Sequence, residues 1–109
     1  MKKHCLALDL KDDAKLITEY EQHHEAIWPG IKKSIIDSGI TNMEIYRTGN
    51  RMFMIIETTD DFSFERKAAM DEANPEVQRW ESLMWQFQQA LPHAAKGEKW
   101  MLMDRVFSL

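Results

Sequence analysis

The sequence predicts an α+β fold in the order β-α-β-β-α-β, and three observations carry that prediction. Residues 3–10, 41–47 and 52–59 have the composition of strands, and the second and third flank Thr48-Gly49-Asn50-Arg51, the signature of a tight hairpin turn. Between the first two strands, apolar residues recur at helical spacing. After Asn74-Pro75, a strong helix start, Val77, Trp80, Met84, Phe87 and Leu91 keep steps of three and four. This order is the split βαβ arrangement called ferredoxin-like, a four-stranded antiparallel sheet with helices on one face.

Each element has its own local reason. In the first strand His4, Leu6, Leu8 and Leu10 share one face, with Cys5, Ala7 and Asp9 on the other. Lys11-Asp12-Asp13 is a turn whose aspartates can cap the helix carrying Leu16, Tyr20, His23 or His24, and Ile27. Pro29 disfavours helix at Trp28 and suits the first turn of a second helix, with Ile31, Ile35 and Ile36 as its apolar stripe and Gly39 as its stop. The hairpin follows, and Asp60-Asp61 is expected to cap a short helix near 62–70. The helix begun at Asn74-Pro75 is expected to run to Leu91, residues 92–99 to form a polar loop, and residues 100–109 to close the sheet. Met101, Met103, Phe107 and Leu109 would then lie on one face of that last strand, with Leu102 and Val106 on the other. Apolar residues on both faces call for cover on both, which a symmetric homodimer supplies.

Composition narrows the partners. A chain of 109 residues is one domain by length and can bury a core without staples. Its net charge of −4 and scattered Lys and Arg argue against nucleic acid or an anionic membrane. The longest apolar run, Met52–Ile56, is far too short to span a bilayer, and Asp9 with Lys11-Asp12-Asp13 ends the N-terminal apolar stretch before a signal h-region can form. The single cysteine, Cys5, excludes an intrachain disulfide and reads as a small buried hydrophobe. A cytoplasmic setting is the expectation.

Few constellations carry chemistry. Metal binding is not expected, because no pair among His4, His23, His24 and His93 has the i,i+4 spacing of a helical zinc site. No serine or cysteine stands in a nucleophile-elbow context, and glycine-rich phosphate loops are absent. What remains is Tyr20-Glu21-Gln22-His23-His24-Glu25-Ala26-Ile27-Trp28-Pro29, where Tyr20 and His24 share a helix face just before a Trp-Pro break. Histidine suits proton transfer near neutrality, yet an amphipathic helix that carries a histidine reads identically. Trp80 is in register with the apolar stripe and is core first, ligand platform second. Glu81 and Trp85 share a neighbouring face and can line a cleft.

The run Tyr20-x-x-x-His24-x-x-Ile27-Trp28-Pro29 resembles the L-rhamnose mutarotase family of small dimeric ferredoxin-like proteins. The likeness continues through Gly39–Tyr46, Gln78-Arg79-Trp80, Leu91-Pro92 and Val106-Phe107-Ser108-Leu109, in collinear order over nearly the whole chain. The resemblance implies a single mutarotase-like domain over residues 1–109, paired into a dimeric α/β barrel. It implies an isomerase that interconverts the α and β anomers of a 6-deoxyhexose without a cofactor, L-rhamnose or L-fucose being the sugars in view. It also implies a role for His24 as proton donor and for Tyr20 as a sugar contact. Trp80 would pack against the apolar face of the sugar. The family has a tyrosine where this chain has Met43 and a second tryptophan where it has Glu81, so both positions are expected in the sugar site, where they retune its preference. Two other classes stand beside this reading. One is the dimeric ferredoxin-like monooxygenases, on fold analogy; the other is a non-catalytic sugar-sensing dimer.

Overall fold

A computed structural model describes residues 1–109. The elements, in chain order, are β1 (Lys2–Leu10), α1 (Ala14–Glu25), α2 (Pro29–Asp37), β2 (Ile40–Thr48), β3 (Arg51–Thr58), α3 (Phe64–Glu72), α4 (Pro75–Trp85), β4 (Gln88–Gln89) and β5 (Met101–Leu102). The sheet runs β2-β3-β1-β4 with every pairing antiparallel, the order expected of a ferredoxin-like fold. No helix is long and apolar enough to cross a membrane.

Local chemistry explains most boundaries. Asp13 caps α1 by accepting hydrogen bonds from the backbone N–H groups of Lys15 and Leu16, and Asn74 does the same for α4 with Glu76 and Val77. Pro29 and Pro75 occupy first-turn positions, where the missing N–H costs nothing. Gly39 follows α2 with φ 101°, the left-handed conformation that ends helices. Thr48 faces Arg51 across a two-residue turn in which Gly49 takes φ 56°.

Three expectations about the helices need correction. The cap of α3 is Ser63, which accepts from the Arg66 N–H, whereas the Asp61 carboxylate is taken by the Thr59 hydroxyl. Ile36 points to solvent at 59% exposure, so Ile31 and Ile35 alone carry the α2 stripe. Helix α4 stops at Trp85, short of Leu91, because the chain turns to pair Gln88 and Gln89 with Leu10 and Asp9. Phe87 and Leu91 remain buried at 4% and 6% even so, because burial rather than helix sets their spacing.

The last strand differs most. Only Met101 and Leu102 pair with β1, opposite Ala7 and Leu6, and Met103 adds one backbone bond to the Cys5 carbonyl. Beyond it Val106, Phe107 and Leu109 are exposed. Two dipeptides thus share the free edge of β1: β4 stands opposite Asp9 and Leu10, β5 opposite Leu6 and Ala7. Residues 90–100 are an excursion out of the fourth strand, inserted opposite the single residue Leu8.

The core lies between the helices and one face of the sheet. Leu8, Leu10, Tyr20, Ile31, Met52, Val77, Trp80, Met84 and Phe87 form one buried cluster; Leu6, Ile40, Met54, Ile56 and Phe62 form a second. Alternation along β1 and β3 sends Cys5, Ala7, Phe53 and Ile55 to the opposite face, where no helix packs and each is half-buried. Cys5 is therefore less enclosed than the core position expected for it.

Candidate active site

Helix α1 brings Tyr20 and His24 to the same face, one turn apart, with ring centroids separated by 4.4 Å. Tyr20 is buried and His24 half-buried. His24 Nδ1 lies 3.0 Å from the Tyr20 backbone carbonyl oxygen. A carbonyl only accepts, so Nδ1 carries a proton and the neutral ring keeps its lone pair on Nε2. Burial is the main influence on this imidazole and lowers its pKa below 6.5, opposed by the bond to Tyr20 and assisted by the neighbouring His23. The ring is thus neutral at pH 7. Burial acts oppositely on the Tyr20 phenol and pushes it up to about 12, with Gln88 pulling weakly the other way. The phenol keeps its proton throughout the physiological range.

Trp80 forms the adjoining wall. Its ring meets His24 edge-on at 5.6 Å and Trp28 at 5.0 Å, which ties α4 to the α1–α2 junction. Together these groups border a cavity of about 370 Å³ between helices and sheet, lined mostly by apolar side chains. Met43 and Glu81 line it as well, so the structure gathers Tyr20, His24, Met43, Trp80 and Glu81 around one space. Trp85 is not among the lining residues and instead lies under the Lys99 ammonium, 4.7 Å from the ring centre. On its outer side His24 also borders an open cleft with Glu21, Glu25, Tyr46 and Arg47, so the imidazole sits between interior and solvent.

Several lining residues were not legible as such. Lys99 returns from the 90–100 excursion to the cavity wall and donates to the Glu81 carbonyl at 3.2 Å. Burial lowers the Lys99 pKa, and Glu81 offsets part of that. The Lys67–Asp71 ion pair, 2.5 Å apart on α3, forms a polar patch at the cavity wall. Gln88 joins Tyr20 at the interior end. A polar residue beside Phe87 and ahead of Leu91 is the one sequence signal that could have pointed to Gln88. No three His, Cys, Asp or Glu side chains converge to hold a metal ion.

A neutral imidazole and a protonated phenol at the wall of a largely apolar cavity can exchange protons with a small neutral ligand that carries hydroxyls. A family model described as L-rhamnose mutarotase matches residues 3–109. The chain belongs to the L-rhamnose mutarotase family. Within reach of this family, it is 44% identical to the L-fucose mutarotase of Xanthomonas campestris pv. campestris, covering 100% of this chain and 89% of that protein. It is 34% identical to the L-rhamnose mutarotase of Phocaeicola vulgatus over 73% of each chain. Among solved structures, the L-rhamnose mutarotase of Formosa agariphila superposes with a TM-score of 0.74 at 19% identity, over 100% of this chain and 99% of that one. The tetracenomycin F2 cyclase of Streptomyces glaucescens superposes at 0.64 and 15% identity, over 100% and 97%. At those identities the two structures speak to the fold alone. The fold serves different chemistries, and membership of the family rests on the sequence match.

Proposed function

We propose that this protein, as one domain over residues 1–109, is a cofactor-independent mutarotase interconverting the α and β anomers of a 6-deoxyhexose, L-fucose ahead of L-rhamnose. The observation that carries the mechanism is His24, a cavity-lining imidazole whose Nδ1 is held by the Tyr20 carbonyl, which leaves the lone pair on Nε2. The whole-length likeness to an L-fucose mutarotase, and Glu81 where the family has an indole, favour L-fucose.

The reaction needs one proton removed from the anomeric hydroxyl and one placed on the ring oxygen. His24 Nε2 takes the first while the Tyr20 hydroxyl donates a hydrogen bond to the ring oxygen. The bond from C1 to the ring oxygen then breaks, the ring oxygen takes the proton now held on His24 Nε2, and C1 becomes an aldehyde. Rotation about C1–C2 exposes the other carbonyl face, and the reverse transfers close the ring as the other anomer. Redox state and composition are unchanged, so the chemistry calls for no cofactor. Trp80 supplies flat apolar area for the C–H face and methyl group of the sugar.

Saturation-transfer NMR of anomeric exchange in L-fucose and L-rhamnose tests this reading. Exchange above the buffer rate is expected for both sugars, faster for L-fucose at equal concentration. Protein that leaves both at the buffer rate would sink it.

The active form in this reading is a homodimer in the cytoplasm, where a lone thiol such as Cys5 stays reduced. The uncovered sheet face with Ala7, Phe53 and Ile55, and the exposed Val106, Phe107 and Leu109, supply apolar area that a second copy would bury. Sedimentation equilibrium should give twice the chain mass at micromolar concentration, and deleting residues 104–109 should shift the protein towards monomer. A full-length chain that sediments as a monomer excludes this assembly.

A further inference from the structure

We infer that Gln88 is a substrate-binding residue whose side-chain amide takes a sugar hydroxyl and sets which hydroxyl pattern the cavity accepts. The inference rests on the sugar reading above and names a further contact within the same site.

Gln88 is 5% exposed, and its backbone is locked in β4 opposite Leu10. The nearby inward residues of this segment, Met84, Phe87 and Leu91, are apolar, so packing alone would be served by another apolar side chain. Instead the position holds a carboxamide that borders the cavity with Tyr20 and His24. Its only side-chain bond is from Nε2 to the Tyr20 hydroxyl at 3.5 Å, and Oε1 is buried without any donor. A buried acceptor left unpaired is a standing cost that an incoming donor removes. Turning the amide over exchanges its two ends but leaves one of them unpaired, so the conclusion holds for either orientation. A hydroxyl-rich ligand supplies both donors and acceptors and satisfies either end.

The same bond has a second effect. With Nε2 towards the phenol, as in the structure, the phenol oxygen accepts from Gln88, so its own hydrogen is free for another acceptor, and the structure gives it none in the protein. Gln88 thus leaves the Tyr20 proton available to the bound sugar.

The test is binding of L-fucose and its 2-, 3- and 4-deoxy analogues to the parent protein and to Gln88→Met, which keeps length and loses hydrogen bonding. Titrations followed by tryptophan fluorescence read affinity without turnover, and saturation-transfer NMR reads exchange in parallel. In the parent, one deoxy analogue should bind about 10- to 100-fold more weakly than L-fucose. Gln88→Met should bind L-fucose that much more weakly and lose the penalty for that one analogue. A variant that keeps the full analogue discrimination overturns the inference, as does one that loses the same factor for every analogue, the mark of a structural role. If Gln88→Met does not fold, the side-chain amide NMR signal of Gln88 in the parent decides: it must shift on saturation with L-fucose, and a static signal overturns the inference. Gln88-dependent discrimination without anomeric exchange would leave this contact standing and remove the mutarotase reading. Exchange with discrimination independent of Gln88 would do the reverse.

Discussion

His24→Ala is expected to slow anomeric exchange by about 10²–10⁴-fold, the usual contribution of a positioned acid–base group. The imidazole, its pKa lowered by burial, offers a free lone pair at the cavity wall at neutral pH. Tyr20 cannot replace it, since burial keeps the phenol protonated up to about 12. Added imidazole should restore part of the exchange in the alanine variant, because the space vacated beside Tyr20 and Trp80 matches the missing ring. If the variant exchanges anomers as fast as the parent, His24 has no part in proton transfer.

The pH profile follows from the same geometry. Burial places the folded pKa of His24 below 6.5, so the acid limb of the exchange rate should have its midpoint below that value. The stability consequence has a definite sign. Between the folded and unfolded pKa values, the unfolded chain binds the proton and the folded chain does not, so stability rises with pH there. His24 thus destabilises the fold as pH falls through 6.5 towards its lowered value, and His24→Ala should flatten that part of the stability curve.

Trp80→Ala is expected to have the largest effect on stability, about 3–5 kcal/mol, the range for emptying a buried aromatic site. Trp80 is 8% exposed and packs with both His24 and Trp28, so its loss opens a hole where three helices meet. Denaturant unfolding measures this directly, and an unchanged midpoint would remove Trp80 from the core. Trp80→Phe should keep most of the fold while narrowing the apolar wall offered to the sugar. KM should then rise more than kcat falls, because Trp80 holds substrate while His24 moves protons.

What could be read from the chain follows from how locally each feature is determined. Asn74-Pro75, Pro29 and Gly49 act within a few residues, and each lies where its own stereochemistry requires. The Tyr20–His24 pairing is equally local, a consequence of helix pitch. Gathering Met43 and Glu81 to the same cavity is a tertiary event, and the family likeness rather than spacing pointed to it. The end of α4 was misread because Phe87 and Leu91 keep helical spacing after the helix has stopped. That misreading also hid Gln88, whose significance appears only once residue 88 is seen in a strand beside Leu10. The final strand was overextended for a related reason: alternation of apolar residues marks what must be covered, and a second chain can supply that cover as well as the strand's own sheet.

The divided edge of β1 bears on how such a protein can change over time. Gln88-Gln89 and Met101-Leu102 are each pinned to β1 by their own pairing, on either side of the excursion. Residues 92–98, between the buried Leu91 and the cavity-lining Lys99, can therefore lengthen, shorten or change composition without shifting the register of either piece, and loop-length changes cost little in closure entropy. Yet Lys99 and Trp100, at the end of that excursion, are part of the cavity wall. Heritable variation can thus reshape the ligand space from a segment whose alteration leaves the sheet and the His24 helix undisturbed.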